Sequence, residues 1–179
     1  MNPSFSKLST IFFSQSKDKQ QLILKSLYDF SAETKTLLAT SLGFQEDPTI
    51  FIDRMQRETI DKVYRKGIPK EPNGKIINQI LTNAKKAGVS FETLLSLEQL
   101  AYRGFMEFLH EYGGGPENFD NQACKHLESY LKLVLQIKDK AKKDELIEKL
   151  RLYIIKKDNM YTDDKDETFE SITGIPINR

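Results

Sequence analysis

The sequence contains very little cysteine: Cys124 is the single one among 179 residues. One thiol forms no internal disulfide, and it does not supply the four ligands of a structural zinc site. Excess charge is missing as well, because 27 basic residues balance 26 acidic ones and leave a net charge of +1. We therefore expect a reducing compartment, and no binding of polyanions driven by net charge.

Long apolar runs are also absent from the sequence. The longest near its start is Ile11-Phe12-Phe13, which is far shorter than the core of a signal peptide. No stretch reaches the ~20 apolar residues that a membrane helix requires. We therefore expect a cytoplasmic protein without a membrane span.

What the sequence does contain is apolar side chains at three- and four-residue steps, the spacing of one face of an α-helix. Neither an alternating strand pattern nor a repeat of fixed period accompanies these stripes. Hydrophobic residues make up 39 % of the chain, which is enough for one core. The sequence therefore predicts an all-α fold, a compact and non-repeat bundle of about six to seven amphipathic helices.

Glycine and proline interrupt the helical pattern at two places, the segment 67–74 and the Gly-Gly-Gly-Pro loop at 113–116. We interpret both as connectors inside a single helical domain over residues 1–157. From Asp158 to Glu170 the pattern fades, and six acidic residues accompany one base, Lys165. This charge imbalance predicts a short, irregular acidic tail over residues 158–179.

Glu107 and His110 form a Glu-x-x-His pair on one face of a predicted helix, and Glu111 lies beside them. Helical di-iron bundles use such a pair twice. The second pair is incomplete here, because Ala123 occupies the position where His126 would need a glutamate. We predict no cofactor, and we carry a metal-assisted enzyme as an alternative, with Glu107, His110, Glu111 and His126 as its candidate ligands.

Cys124, His126 and His110 also raise the question of a thiol-imidazole pair, if the two helices that flank the glycine loop pack antiparallel. Cys124 and His126 lie two residues apart on a helix, so their side chains point to different sides. We therefore expect a buried, inert cysteine and a surface histidine.

Basic residues collect on both sides of segment 67–74. Acidic residues lie among them, so we expect an ordinary solvated face rather than a nucleic-acid site. A nucleic-acid accessory protein is the second alternative, and its candidate residues are Lys62, Arg65, Lys66, Lys70, Lys75, Lys85 and Lys86.

Three segments of the sequence form a recognisable order: Lys19-Gln-Gln-Leu-Ile-Leu-Lys-Ser-Leu-Tyr28, Ala84-Lys85-Lys86, and Phe108-Leu-His-Glu-Tyr-Gly113 followed by Phe119. This order of helices resembles a family of uncharacterised small helical bacterial proteins, a domain of unknown function. The resemblance spans about Lys17 to Ile154, and the ending of the chain departs from the family's pattern. It implies a compact helical fold and supplies no activity, cofactor or catalytic residue.

The sequence contains none of the serine-hydrolase, zinc-protease or kinase motifs, which lowers the expectation of an enzyme. The leading hypothesis is a non-catalytic helical protein-interaction module that binds a protein partner or forms a homo-oligomer. Four apolar residues are candidates to seat such a partner. They are Phe12, Phe13, Phe44 and Phe169.

Overall fold

The structure is a computed structural model that describes residues 3–42, 49–67 and 70–179. Across these ranges every regular element is a helix and no strand occurs, so the all-α prediction is confirmed. The chain divides into two compact units, Met1–Asp47 and Pro48–Arg179, where the sequence predicts one domain over 1–157. No helix in the described ranges is long and apolar enough to cross a bilayer.

The first unit contains three helices, α1 (Phe5–Phe13), α2 (Lys17–Tyr28) and α3 (Ala32–Ser41). The hydroxyl oxygens of Ser4 and Ser16 accept hydrogen bonds from the backbone N–H groups three residues later, at the starts of α1 and α2. These N–H groups have no partner within the helix, so a serine at this position stabilises the helix start. Both helices therefore begin at a capping serine.

The apolar stripe of α2 does not enter a core. No residue of α1 or α2, both described along their whole length, is buried. Leu24, Leu27 and Tyr28 are exposed. The helical spacing is therefore present in α2 without burial of the stripe.

The second unit is built around its two longest helices. Its helices are α4 (Thr49–Glu58), α5 (Ile60–Val63), α6 (Gly74–Lys86), α7 (Phe91–Glu111), α8 (Glu117–Leu135), α9 (Lys140–Lys156) and α10 (Thr162–Thr173). The helix α7 packs along α8, while α4, α5 and α6 contact α7, and α9 and α10 contact α8. Both long helices bury large apolar side chains, such as Phe105 and Leu109 of α7 and Leu127 of α8.

A close approach joins α7 to the junction of α4 and α5. Thr59 lies at this junction and is buried, and Gly104 of α7 packs directly against it. A Cβ atom at Gly104 would lie 2.6 Å from the Thr59 Cβ, which is closer than real side chains allow. Only glycine therefore fits at this crossing.

The acidic end of the chain differs from the prediction. Residues 158–179 belong to the second unit, and Thr162–Thr173 is helical, so the prediction of an irregular tail is wrong. Lys165 and Phe169, one helical turn apart, are buried on the same side of α10, which packs against α8. Acidic residues in the first turn suit the positive end of the helix dipole, so the charge imbalance does not oppose a helix here.

Ten helical segments occur in the described residues, more than the predicted six to seven. The additional ones are α1, α10 and the single turn α5, which Thr59 separates from α4. The break at 113–116 is confirmed, because these residues connect α7 to α8 and are not helical. In segment 67–74, residues 68 and 69 lie outside the described ranges, and 70–73 are irregular.

Candidate functional site

An apolar groove of about 590 Å³ runs between α1 and α2. Eight of its eleven lining residues are apolar, and among the described residues that line it only Lys19 is charged. The amide group of Gln20 donates to the backbone carbonyls of Phe12 and Gln15 at 3.2 and 3.0 Å, which ties α2 to the end of α1. The groove thus lies between two helices that hydrogen bonds connect.

The four apolar candidates from the sequence fall in different places. Phe12 and Phe13 line the groove, and Phe13 is exposed over 74 % of its surface. Phe169 is buried in the second unit on α10, so its assignment to a partner surface is wrong. Phe44 lies outside the described residues.

Glu107 lies buried in α7, surrounded by hydrogen-bond donors from outside that helix. Its Oε2 accepts a hydrogen bond from the Tyr64 hydroxyl at 2.6 Å and lies 2.5 Å from the Lys157 Nζ. Its Oε1 accepts a hydrogen bond from the Tyr153 hydroxyl at 2.8 Å. Arg103 of α7 adds a second cation, 3.8 Å from Oε1. Both carboxylate oxygens therefore already have partners.

These contacts set the protonation state of the cluster. Burial alone would raise the pKa of Glu107, but hydrogen bonds from Lys157, Tyr64 and Tyr153 outweigh burial and hold the pKa below its usual value. Burial and contact with Glu107 raise the pKa of both tyrosines. A general base works best with a pKa near neutrality. The Glu107 carboxylate, ionised and fully bonded, has instead the properties of an anchor between helices.

The other members of the predicted metal set only partly join Glu107. The Glu111 Oε1 lies 3.0 Å from the Tyr64 hydroxyl and 3.9 Å from the Lys157 Nζ. His110 instead contacts Asp158, the residue after Lys157: the His110 Nδ1 lies 2.8 Å from the Asp158 carbonyl oxygen. In the part of the chain that the structure describes, no group of three histidine, cysteine or acidic side chains is arranged to hold a metal ion.

His126 lies in a separate buried pair. Its Nδ1 is 2.8 Å from the Glu98 Oε2, and its ring stacks on Phe105 with an interplanar angle of 2°. Its Nε2 is buried without a hydrogen-bond partner in the described part of the chain. The expectation of a surface histidine is therefore wrong for His126.

Cys124 is half-buried on α8, and its pKa is raised to about 11, first by burial and then by the charge of Asp120. Its Sγ lies 4.0 Å from the Asp120 Oδ1. The thiol is therefore protonated at neutral pH, which fits an inert cysteine.

The basic residues around segment 67–74 are partly paired with acids. Lys62 forms an ion pair with Glu58 at 2.6 Å, and Lys85 lies 3.6 Å from Glu98. Lys62 and Lys75 line a polar cleft of about 740 Å³, with Glu71 beside them. Arg65, Lys66, Lys70 and Lys86 are exposed. These acidic partners reduce the positive charge, so the geometry gives the nucleic-acid alternative no specific support.

One buried charged pair was missed by the sequence interpretation altogether. The Lys165 Nζ forms an ion pair with Asp120 of α8 and donates to the carbonyl oxygen of Tyr161 at 2.6 Å. Burial raises the pKa of Asp120, and the nearby Asp164 adds to this, although Lys165 opposes it. Asp120 lies 45 residues from Lys165 in the sequence, so no local pattern indicates the pair. The only local signal for the buried side of α10 was the spacing of Lys165 and Phe169, four residues apart.

No family model, no curated protein and no solved structure matches this chain.

Proposed function

We propose that this chain is a non-catalytic helical interaction protein that docks through the α1–α2 groove, and that the groove receives the apolar face of an amphipathic helix. The observation that carries the proposal is the absence of buried residues in α1 and α2, both fully described, next to an apolar groove. Contiguous apolar surface of this kind is uncommon on soluble monomers and often marks an interaction site.

The shape of the groove favours a helical occupant. Two packed helices leave between them a channel that accepts the side-chain ridge of a third helix. The nine residues of α1 give the groove a length of about 13 Å, at 1.5 Å of rise per residue. Such a channel receives two to three turns of a partner helix, with anchors at every third or fourth residue.

The charged groups of the second unit support the non-catalytic part of the proposal. Glu107 is held in its ionised form by Lys157 and two tyrosines, and Glu98 is paired with His126. Both carboxylates are thus committed to contacts within the fold. A cytoplasmic location is part of the same proposal, because a free cysteine suits a reducing compartment.

Binding of the apolar dye ANS by the full chain in dilute solution tests the proposal. We expect the dye to fluoresce with the wild-type protein and the signal to fall severalfold in Leu24→Glu, which places a charge in the groove. Leu22→Glu is the matched control, because Leu22 is exposed on the same helix but does not line the groove. Circular dichroism confirms equal helix content in all three proteins.

Two outcomes would contradict the docking function. One is a monomeric wild-type chain that binds no dye. The other is an equal dye signal from the wild type, Leu24→Glu and Leu22→Glu, which would place the apolar site elsewhere.

A further inference from the structure

We infer that the occupant of the groove is the same groove of a second copy of this chain. The α1 and α2 helices of two copies then face each other across a two-fold axis and form a four-helix contact. This inference rests on the proposed docking function and names its partner. Three properties of the first unit support a second copy over an unrelated protein.

The first property is the near absence of charge on the face. Across a two-fold axis the same patch meets itself, so every charge on it meets a like charge. Among the described lining residues only Lys19 is charged, so self-pairing brings together a single lysine from each copy. A different partner is usually selected by complementary charge, and this face offers little charge to complement.

The second property is that each copy carries both parts that the contact needs, the projecting side chains and the groove that receives them. Phe5 and Phe13 border the groove and are exposed over 85 % and 74 % of their surfaces. They lie at the two ends of α1, about 12 Å apart along the helix axis. Each copy therefore presents two projecting rings and a groove that can receive the rings of its partner.

The third property is the exposed apolar surface that the contact would cover. Six of the eight apolar lining residues, from both α1 and α2, remain exposed over 42–85 % of their surfaces. Helices of nine and twelve residues are marginal in water without packing, and a second copy supplies the core that they lack.

Sedimentation equilibrium of the full chain over a series of concentrations tests the inference. We expect a reversible monomer–dimer equilibrium in the wild type. Leu24→Glu and Leu8→Glu, which charge the groove from α2 and from α1, should each weaken the dimer at least tenfold. Leu22→Glu, on the outer side of α2, should change the dimer dissociation constant by less than threefold.

The results separate the two proposals. A wild-type chain that stays monomeric yet binds ANS in a way that Leu24→Glu abolishes overturns the second copy and leaves the docking function standing. A monomeric chain without dye binding overturns both. A dimer that survives both groove substitutions with unchanged affinity places the contact elsewhere and overturns the inference.

Discussion

Gly104 shows how a single hydrogen atom in place of a side chain positions two helices. Its α-carbon lies against Thr59, whose hydroxyl donates to the Met55 carbonyl at 2.7 Å and is buried with it. The junction of α4 and α5 is thereby fixed on α7. This contact places Tyr64, shortly after α5, within reach of Glu107.

We predict that Gly104→Ala destabilises the second unit. The added methyl group would overlap the Thr59 side chain and backbone, and overpacking of this kind costs about 1–3 kcal/mol, which exceeds the gain in helix propensity. Urea unfolding measures the loss. Gly74→Ala is the matched control, because its Cβ would meet only ordinary contacts at 3.7 Å and should leave the stability nearly unchanged. Equal stability of the two variants would contradict the close approach.

Lys165 and Asp120 form a buried ion pair, and we predict that removing one partner is costly. Lys165→Met leaves the carboxylate of Asp120 buried without its cation, which should lower the free energy of unfolding by about 3 kcal/mol. Lys149→Met is the control: it breaks the exposed pair with Glu145 and should have little effect. The prediction fails if both substitutions change the unfolding midpoint equally.

The ionised Glu107 should make stability depend on pH in the acid range. Its pKa is lower in the folded protein than in the unfolded chain, so its contribution is present above the unfolded value of about 4.3 and is lost as the pH falls through the folded value. Glu107→Gln should therefore lower the unfolding free energy by about 2–4 kcal/mol at neutral pH, and the difference should shrink as the solution is acidified.

Urea unfolding across the acid range measures this difference. The exposed Glu145, whose pKa is lowered by a hydrogen bond from Lys149, provides the control Glu145→Gln, which should follow the wild-type profile closely because solvent screens that pair. If the unfolding free energies of the wild type and Glu107→Gln differ by the same amount at every pH, the charge of the carboxylate is not the source of the stabilisation.

These contacts also show why the sequence did not reveal the buried clusters. Glu107 meets Tyr64 and Tyr153, which lie 43 and 46 residues away in the sequence. His126 meets Glu98 over 28 residues. A helical stripe reports which side of one helix is apolar, but it does not report which side chains of distant helices converge. The sequence singled out Glu107 and His126 as candidate ligands, but only the fold reveals the partners that each side chain has.

Among the elements, the spacing of apolar residues predicted most of the long helices. Caps add to their stability, as at the start of α7, where the Ser90 hydroxyl oxygen accepts a hydrogen bond from the Thr93 N–H at 3.2 Å. The helix α10 was missed because the acidic composition of residues 158–179 was given more weight than the helical spacing of the residues within that segment. No acidic residue of α10 is buried and two lie in its first turn, while two buried side chains one turn apart, Lys165 and Phe169, lie on the same side of the helix.

The helix α10 should therefore contribute to the stability of the second unit. We predict that Phe169→Ala lowers the free energy of unfolding by about 3–5 kcal/mol, because it removes a fully buried ring from the contact of α10 with α8. Leu152→Ala on the exposed side of α9 is the control and should have a small effect. If Phe169→Ala unfolds at the same urea concentration as the wild type, α10 is not part of the cooperative core.

At the scale of the whole molecule, burial is distributed very unevenly between the two units. The second unit buries large side chains from most of its helices, whereas α1 and α2, both described throughout, bury none. Local stability follows the number of buried apolar contacts. The sequence did not indicate this difference, since the stripes of α2 and α7 have the same spacing.

Amide hydrogen exchange should therefore separate the two units. We expect slow exchange in α7 and α8 and fast exchange in α1 and α2 when the chain is dilute, because helices without buried residues open easily. Mass spectrometry of peptide fragments measures both rates in one experiment, so α7 serves as the internal control. Equally slow exchange in all four helices at every dilution would contradict the uneven burial.

The half-buried Cys124 has a practical consequence for such studies. With a pKa of about 11, it holds very little thiolate at neutral pH. An accessible cysteine of ordinary pKa holds on the order of a few hundred times more, and the thiolate is the form that alkylating reagents attack. A cysteine introduced at Ser9, inside the groove, would therefore take up a spectroscopic label selectively while the native thiol stays chemically silent and in place.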